Sequence, residues 1–193
     1  MTRSLKLAFV AAILILLQAC TSAHLKPVAD PAKAMKPQSG KALVVFIRDS
    51  AFGGAIQSSV FDGETYISTV SSGTRVAYQA TPGEHMFMVI GESADFMKAN
   101  LLAGKTYYAT VDPRMGVWKA RFSFIPIRKG KPFSEIQSML DSTDLMEPNA
   151  EGFQWAKDNA ADIRAKRLEY LAKWKAKAAS AQAQQTLNPE DGR

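Results

Sequence analysis

The chain has few side chains of the kinds that enzymes use for acid–base or nucleophilic chemistry. It contains two histidines, His24 and His85, and one cysteine, Cys20. Catalytic triads, cysteine–histidine pairs and histidine-rich zinc sites each require these residues in a fixed cluster. His85 follows Glu84 in a predicted strand, which places the two side chains on opposite faces, so we interpret His85 as structural or half-exposed. Catalytic triads, cysteine–histidine pairs and histidine-rich zinc sites are therefore nearly excluded.

Paired carboxylates are the remaining route to catalysis, as in glycoside hydrolases. The candidates are Asp49, Asp62, Asp95 and Asp112. Each lies at a predicted strand end or turn, where aspartate is expected for backbone hydrogen bonding alone. Neither a GxGxxG pattern nor a GxxxxGK pattern followed by Ser or Thr occurs, so no nucleotide-binding loop is visible. The sequence therefore predicts no catalytic residues, no metal site and no cofactor.

The N-terminal segment has the pattern of an export signal over residues 1–19. Arg3 and Lys6 precede an unbroken apolar run from Leu7 to Leu17. This run of 11 residues is too short to span a bilayer, which takes about 20, but it fits the apolar core of a secretory signal. An ordinary signal would leave Cys20 as a free thiol in an oxidising compartment, with no second cysteine to pair with.

The residues Leu17-Gln18-Ala19-Cys20 resemble a bacterial lipobox. The resemblance implies cleavage before Cys20, a diacylglycerol on its sulfur and an acyl chain such as palmitate on the new N-terminus. Several acyl chains anchor a protein stably, because each buried methylene contributes about 0.8 kcal/mol. Thr21 stands where lipoproteins retained at the inner membrane commonly carry aspartate, so the resemblance implies the outer membrane. The alternative is a short cytosolic helix that ends in a buried cysteine.

The positive charge of the chain is weak evidence for any partner. Loss of Arg3 and Lys6 with the signal lowers the count of basic residues from 24 to 22, against 18 acidic residues. Nucleic-acid binding needs basic residues clustered on one surface, and an exported protein seldom meets nucleic acid. We therefore predict no nucleic-acid partner. Residues 20–40 contain Pro27, Pro31 and Pro37 without apolar periodicity, which predicts an acylated N-terminus and a semi-extended tether.

Residues 41–127 have the pattern of strands separated by turns. The run KALVVFI, residues 41–47, is typical of a strand buried on both faces. The pair Asp62-Gly63 predicts a two-residue hairpin turn. Near the end, Trp118, Phe122 and Phe124 share one face of an alternating strand. The absence of helical periodicity here predicts a mainly β fold, an antiparallel β-sandwich, with a small closed barrel as the alternative.

This segment also resembles an uncharacterised family of bacterial envelope lipoproteins whose domain has no assigned function. The similarity is carried by KALVVFIRDSAFGGA, by the TPGEH turn and by LLAGKTYYATVDPRMGVWKARF. The resemblance implies an immunoglobulin- or transthyretin-like sandwich. It implies no catalytic residues.

The residues after 127 are predicted to form a helical tail. Residues 128–148 are interpreted as a linker with a short helix capped by Ser134, residues 149–184 as one long amphipathic helix capped by Asn149, and residues 185–193 as a disordered end. The candidate partner-binding residues are those of the apolar stripe and one arginine within it: Phe153, Ile163, Arg167, Tyr170, Leu171 and Trp174. The alternative is that the stripe covers one face of its own sandwich.

Three hypotheses about function follow. The favoured one is a noncatalytic lipoprotein, anchored in the bacterial outer membrane and facing the periplasm, whose sandwich and tail contact another envelope protein. The second is a module that binds peptidoglycan or another glycan of the cell wall, which would require exposed aromatic residues such as one of Tyr107 and Tyr108 on one sheet face. The third is a hydrolase that uses carboxylates.

The anchor can be tested directly. We expect mass spectrometry of the mature N-terminus to find Cys20 as the first residue, with its sulfur and its amino group acylated. An unmodified thiol at Cys20, or cleavage at another bond, would contradict the prediction.

Overall fold

The computed structural model describes residues 22–114 and 121–193. The predicted signal peptide, Cys20 and Trp118 lie outside the described residues. The strands, in chain order, are β1 (Leu25–Pro27), β2 (Ala42–Arg48), β3 (Ser58–Asp62), β4 (Thr65–Val70), β5 (Thr74–Ala80), β6 (Gly83–Ile90), β7 (Ala94–Leu101), β8 (Thr106–Arg114), β9 (Arg121–Pro126), β10 (Asp144–Pro148) and β11 (Thr186–Leu187). The helices are α1 (Pro31–Ala34), α2 (Phe133–Asp141), α3 (Ala150–Asp158), α4 (Ala160–Lys175) and α5 (Ala179–Gln184), followed by a short 3₁₀ helix at Pro189–Asp191.

These strands form two sheets packed as a sandwich, so the prediction of a mainly β sandwich is confirmed. The first sheet has the strand order β1-β10-β5-β2-β8-β9, and the second has the order β11-β7-β6-β3-β4. The expectation of purely antiparallel sheets is wrong, because β2 pairs in parallel with β8, β10 with β5, and β11 with β7. Turn chemistry shows where the chain reverses. It does not show whether the next strand pairs with its predecessor or crosses to the facing sheet, as β6 does after β5 and β8 does after β7.

Strand β2 lies at the centre of the first sheet and is buried on both faces, as the sequence predicts. Ala42, Val44 and Phe46 face the second sheet and join the core between the sheets. Leu43, Val45 and Ile47 point outward, where Ile136 and Leu140 of α2 cover them. Phe122 and Phe124 of β9 also pack in the core between the sheets, so the predicted face of that strand is confirmed for these two residues.

The short helix predicted in residues 128–148 is confirmed as α2, but its cap differs from the prediction. Pro132, not Ser134, is the residue at the N-cap, and no side chain bonds the first turn. Tyr107 and Tyr108 are both buried, one between the sheets and one beneath α2. The expectation that one tyrosine is exposed is therefore wrong, because α2 covers the outer face of the first sheet.

The prediction of a semi-extended tether over residues 20–40 is wrong for its described part, residues 22–40. Leu25 to Pro27 pair with β10 in antiparallel register, and α1 follows, capped by Asp30, whose side chain accepts from Lys33 N. The partner strand β10 lies in residues 128–148, the predicted linker. Because neither strand carries a recognisable pattern alone, the pairing between them was not predictable from the tether's composition.

The predicted helix over residues 149–184 is three helices, of which the longest, α4, has 16 residues. Asn149 caps α3 as predicted, since its side chain accepts from Gly152 N at 2.9 Å. The chain bends at Asn159, whose backbone N and side-chain amide both donate to Trp155 O. Such competition for a backbone carbonyl is typical of asparagine at helix ends.

The last residues are ordered, which corrects the expectation of a disordered end over 185–193. Strand β11 adds to β7 in parallel register, and Leu187 is fully buried in the core between the sheets. Arg193 N donates to Thr106 O, and Thr106 N donates to Arg193 O. The end of the chain is therefore bonded to both sheets.

Helices α3 and α4 cover the outer face of the second sheet. Ile163 and Trp174 are buried against Phe61, Met88 and Phe96, which point outward from that sheet. The molecule thus has the layer order helix, sheet, sheet, helices. For Ile163 and Trp174, the structure therefore shows the alternative prediction, in which the apolar stripe covers its own sandwich.

This packing makes Trp174 a test of the layer order. Trp174 is 1% exposed, and we expect Trp174→Ala to lower the free energy of unfolding of the protein by about 3 to 5 kcal/mol. The matched control on the same helix is Leu168→Ala, because Leu168 is 63% exposed and its loss should change stability by less than about 0.5 kcal/mol. Urea denaturation measures both. Equal midpoints would contradict the burial of Trp174.

Candidate functional site

An open groove of about 340 Å³ lies between the β3–β4 hairpin and helices α3 and α4. Its apolar lining consists mainly of Phe61, Tyr66, Phe153 and Ile163. Its charged rim consists of Glu64, Lys157, Arg164 and Arg167. The groove therefore combines an aromatic floor with three cations and one carboxylate.

The hairpin places Phe61, Glu64 and Tyr66 at the groove. Asp62 pairs with Thr65, so the two turn residues are Gly63 and Glu64 rather than the predicted Asp62-Gly63. Gly63 has φ 59°, which a glycine adopts without strain and which a primed hairpin turn requires at its first position. Because Glu64 is a turn residue, its carboxylate projects beyond the sheet edge towards α4.

Helix α3 lies close to the sheet because residue 152 is glycine. A Cβ at Gly152 would lie 2.7 Å from His24 O and 3.1 Å from Tyr66 Oη. The Asn149 side chain also donates to Ala23 O at 2.8 Å, which ties the start of α3 to the segment before β1. These contacts set the distance between α3 and β4, and hence the width of the groove.

The floor of the groove is a contact series of aromatic rings. The Tyr66 ring lies 5.5 Å from the Phe61 ring and 5.7 Å from the Phe153 ring, the latter edge to face. Phe153 is nevertheless 47% exposed. Aromatic pairs at these distances stabilise one another, so Phe153 is held in place while much of its ring stays open to water.

The electrostatics of the rim leave its arginines only partly satisfied. Glu64 is the shared partner of both, with Arg164 Nη2 at 3.5 Å and Arg167 Nη1 at 3.8 Å. Arg167 Nε is buried and has no hydrogen-bond partner. Exposed ion pairs at such distances contribute little. A guanidinium carries five N–H donors, so these two groups retain donors for an anionic ligand.

The six residues predicted to bind a partner fall into two groups, those that line the groove and those that pack against the second sheet. Phe153, Ile163 and Arg167 line the groove together. Trp174 is buried against the second sheet and donates from Nε1 to Gln185 Oε1, while Tyr170 and Leu171 pack at the border of the same cluster. The prediction of a free partner-binding surface is therefore wrong for Trp174, because the outer face of the second sheet needs an apolar cover.

Sequence reasoning missed Glu64, Tyr66 and Arg164 as site residues. The excess of basic residues from Arg164 onward was a signal for the arginine, but nothing in the sequence connects it with a hairpin about a hundred residues earlier. The groove exists only because the helices fold back onto the second sheet.

His85, the second histidine, is part of a polar cluster that joins the two sheets. Its Nδ1 lies 2.7 Å from Asp62 Oδ2, and its Nε2 lies 2.8 Å from Thr81 O. Both neighbours offer acceptor oxygens, an arrangement that favours the protonated imidazole, in which both ring nitrogens donate. The hydrogen bond to Asp62 raises the pKa of His85 against the opposing effect of burial.

Tyr78 of the first sheet completes this cluster. Its hydroxyl donates to Asp62 Oδ2 at 3.0 Å, and burial together with the nearby Asp62 charge raises the pKa of Tyr78 to about 12. The His85 ring stacks on Phe87 with centroids 5.5 Å apart. The cluster of His85, Asp62 and Tyr78, called the clamp below, joins the two sheets through the Tyr78–Asp62 hydrogen bond, in agreement with a structural interpretation of His85.

The other candidate carboxylates do not assemble in the groove. Asp95 accepts from Lys177 Nζ at 3.1 Å. Burial raises the pKa of Asp112, and the neighbouring Asp49 adds to that rise. None of these three residues lines the groove, and Asp62 is engaged by His85 and Tyr78.

Across residues 22–114 and 121–193, no group of three or more His, Cys, Asp or Glu side chains could hold a metal ion. No helix within these ranges is both long and apolar enough to cross a bilayer. Comparisons of the chain with protein-family models, with curated proteins and with solved structures found no match.

The clamp predicts a pH dependence of stability. A histidine whose pKa is raised on folding stabilises the fold fully below its unfolded pKa of about 6.5, and that contribution is lost as the pH rises through the folded pKa. The difference in free energy of unfolding between the wild type and His85→Gln should therefore be larger near pH 6 than near pH 9. Denaturant unfolding at both pH values measures it.

The control is the same substitution in a chain that already carries Asp62→Asn. Without the carboxylate, the pH-dependent part of the His85→Gln effect should shrink. A pH dependence that is as large in the Asp62→Asn background as in the wild-type background would contradict the clamp.

Proposed function

We propose that this chain is a noncatalytic, lipid-anchored protein of the bacterial envelope that faces the periplasm from the outer membrane and binds a partner protein in its groove. The observation that carries the proposal is the groove itself, which holds Phe153, Ile163 and Arg167 from the tail together with a hairpin of the second sheet. The anchor is supported by the apolar run, the basic flank and the Leu-Gln-Ala-Cys end of the N-terminal segment.

The chemistry of the groove defines its occupant. Three cations and one carboxylate on the rim favour an acidic group, and the aromatic floor favours an apolar side chain. A volume of about 340 Å³ accommodates one or two side chains rather than a folded element. The occupant is therefore a protein segment in which an apolar residue stands next to an aspartate or glutamate.

Other readings of the fold and the site have less support. The immunoglobulin- or transthyretin-like topology implied by the family resemblance is retained as a proposal, and the parallel pair β2–β8 weighs against a strict match. A hydrolase would need a second acid in the groove, whereas among the described residues Glu64 is the one acid lining it and both arginines engage it.

A glycan of the cell wall is the second candidate ligand, and one observation favours it. A cavity of about 250 Å³, which shares Ile163 with the groove, is lined by Trp155, His24 and the polar side chains of Gln57 and Asn159. Trp155 and His24 lie 5.5 Å apart, so the cavity offers aromatic surface beside hydrogen-bonding groups. Tyr107 and Tyr108 give this hypothesis no support, since both are buried.

Site-specific crosslinking in intact cells tests the groove. A photoreactive phenylalanine analogue at position 153 of the full-length protein should crosslink to a protein segment that contains an apolar residue beside an acidic one. The matched control carries the analogue at position 168, where Leu168 is exposed on α4 outside the groove.

Charge variants complete the test. Arg167→Glu should lower the yield at position 153 about tenfold or more, because opposing like charges across an interface cost more than 1.4 kcal/mol. Glu64→Gln should raise the yield, since it removes the carboxylate that competes with the partner. Equal yields at positions 153 and 168, or a mapped segment without a carboxylate, would contradict the proposal. Recovery with isolated cell wall that depends on Trp155 and not on Arg167 would favour the glycan instead.

A further inference from the structure

The chain is attached to the folded domain from Ser22 onward. Ser22 is buried, and its Oγ donates to Gln57 Oε1 at 2.9 Å. Leu25 N donates to Ser22 O at 3.1 Å, and Leu25 then begins the strand that pairs with β10. No free linker therefore separates Ser22 from the body of the domain.

This attachment limits how far the domain can lie from a membrane. A single residue, Thr21, stands between Ser22 and Cys20, so the Cα atoms of Ser22 and Cys20 are at most about 7 Å apart. If Cys20 carries the lipid, the surface around Ser22 lies within a few ångströms of the lipid headgroups.

The segment that ends at the partner of Ser22, Gln57, carries exposed apolar side chains. Residues 51–57 lead from β2 to β3 and end at Gln57, the partner of Ser22. Within this segment Phe52 is 53% exposed and Ile56 is 44% exposed. An apolar side chain that is costly to leave in water is favoured at the boundary between headgroups and acyl chains.

The segment is hydrogen-bonded from within by Arg48, whose side chain is completely buried. Arg48 Nη1 donates to Ile56 O at 2.6 Å, and Nη2 donates to Gly53 O at 2.9 Å and to Phe52 O at 3.3 Å. The guanidinium also lies over the Phe122 ring, 4.9 Å from its centroid. The carbonyl groups of the segment are thus turned inward, and its apolar side chains remain outside.

We propose that the anchor face, defined as Ser22, Phe52, Ile56 and Gln57, docks on the phospholipid surface that holds the lipid anchor, with Phe52 and Ile56 entering the boundary between headgroups and acyl chains. This inference rests on the proposed function, because it requires a lipid on Cys20. The short attachment and the exposed apolar pair select a lipid surface as the occupant of this face. The acidic partner segment belongs to the groove and not to the anchor face.

The experiment uses the full-length lipidated protein in vesicles of phosphatidylethanolamine and phosphatidylglycerol. Acylation consumes the thiol of Cys20, so a fluorophore that reacts with thiols labels only an introduced cysteine. One variant carries Ile56→Cys, and the vesicles contain phospholipids with a quencher on the acyl chain. We expect the label at position 56 to be quenched about twofold or more over the control, as for side chains 5–10 Å deep at the interface.

The matched control is Leu102→Cys, because Leu102 is 46% exposed and thus as accessible as Ile56. It follows β7, whose Leu101 pairs with Gly83 at the start of β6, whereas Ile90 at the end of β6 pairs with Ser59 near Gln57. Strand β6 therefore separates the two labels by roughly 20 Å along the sheet.

A second variant tests the short attachment. An insertion of about ten Gly and Ser residues between Thr21 and Ser22 allows a separation of roughly 17 Å. It should lower the quenching at position 56 towards the value at position 102, while the protein still floats with the vesicles. Unchanged quenching would overturn the role of the short attachment.

Two failures are distinguishable. Equal, weak quenching at both positions in protein that floats with the vesicles and has an acylated Cys20 overturns the docking of the anchor face and leaves the proposed anchor intact. Protein that does not float and has an unmodified Cys20 overturns both.

Discussion

Burial of β2 on both faces is the constraint on which the rest of the structure depends. A central strand with Val44 and Phe46 on one side and Val45 and Ile47 on the other cannot lie in a two-layer sandwich, since one face would stay in water. Helix α2 covers that face. The second sheet has the same requirement at Phe61 and Phe96, which α3 and α4 meet. The helical segments are therefore structural layers, and the groove proposed as the binding site lies where this cover ends.

The sequence predicted those elements whose pattern is local. The apolar run of β2, the alternation of Phe122 and Phe124, and the cap at Asn149 each depend on a few neighbouring residues, and the structure agrees with all three. The helical periodicity of the tail was also recognised, although the bend at Asn159 was not. At that position the side-chain amide of Asn159 donates to Trp155 O, a contact that the helical periodicity does not show.

The features that sequence reasoning did not predict are contacts between distant segments. The parallel pairing of β2 with β8, the docking of β1 on β10 and the arginines that share Glu64 each join residues that no local pattern relates. The ordered structure of residues 185–193 likewise depends on a contact with a distant segment. A polar segment such as QTLNPEDGR is typical of a frayed end, and only the free edge of β7 makes Leu187 a core residue. The candidate site also depends on contacts between distant segments. Three of its residues, Phe153, Ile163 and Arg167, were therefore predicted from the sequence, whereas the hairpin that completes the groove was not.

The pairing of the chain's two ends with its middle has a consequence for the order of folding. Strand β1 needs β10, and β7 keeps a free edge until Thr186 and Leu187 arrive. Contacts between residues so far apart in sequence form slowly, because long loops must close before the contacts can repay the lost chain entropy. A partly synthesised chain therefore lacks the partners that would complete either sheet. If the chain is exported unfolded across a membrane, as the proposed function requires, this topology delays folding until nearly the whole chain has been delivered.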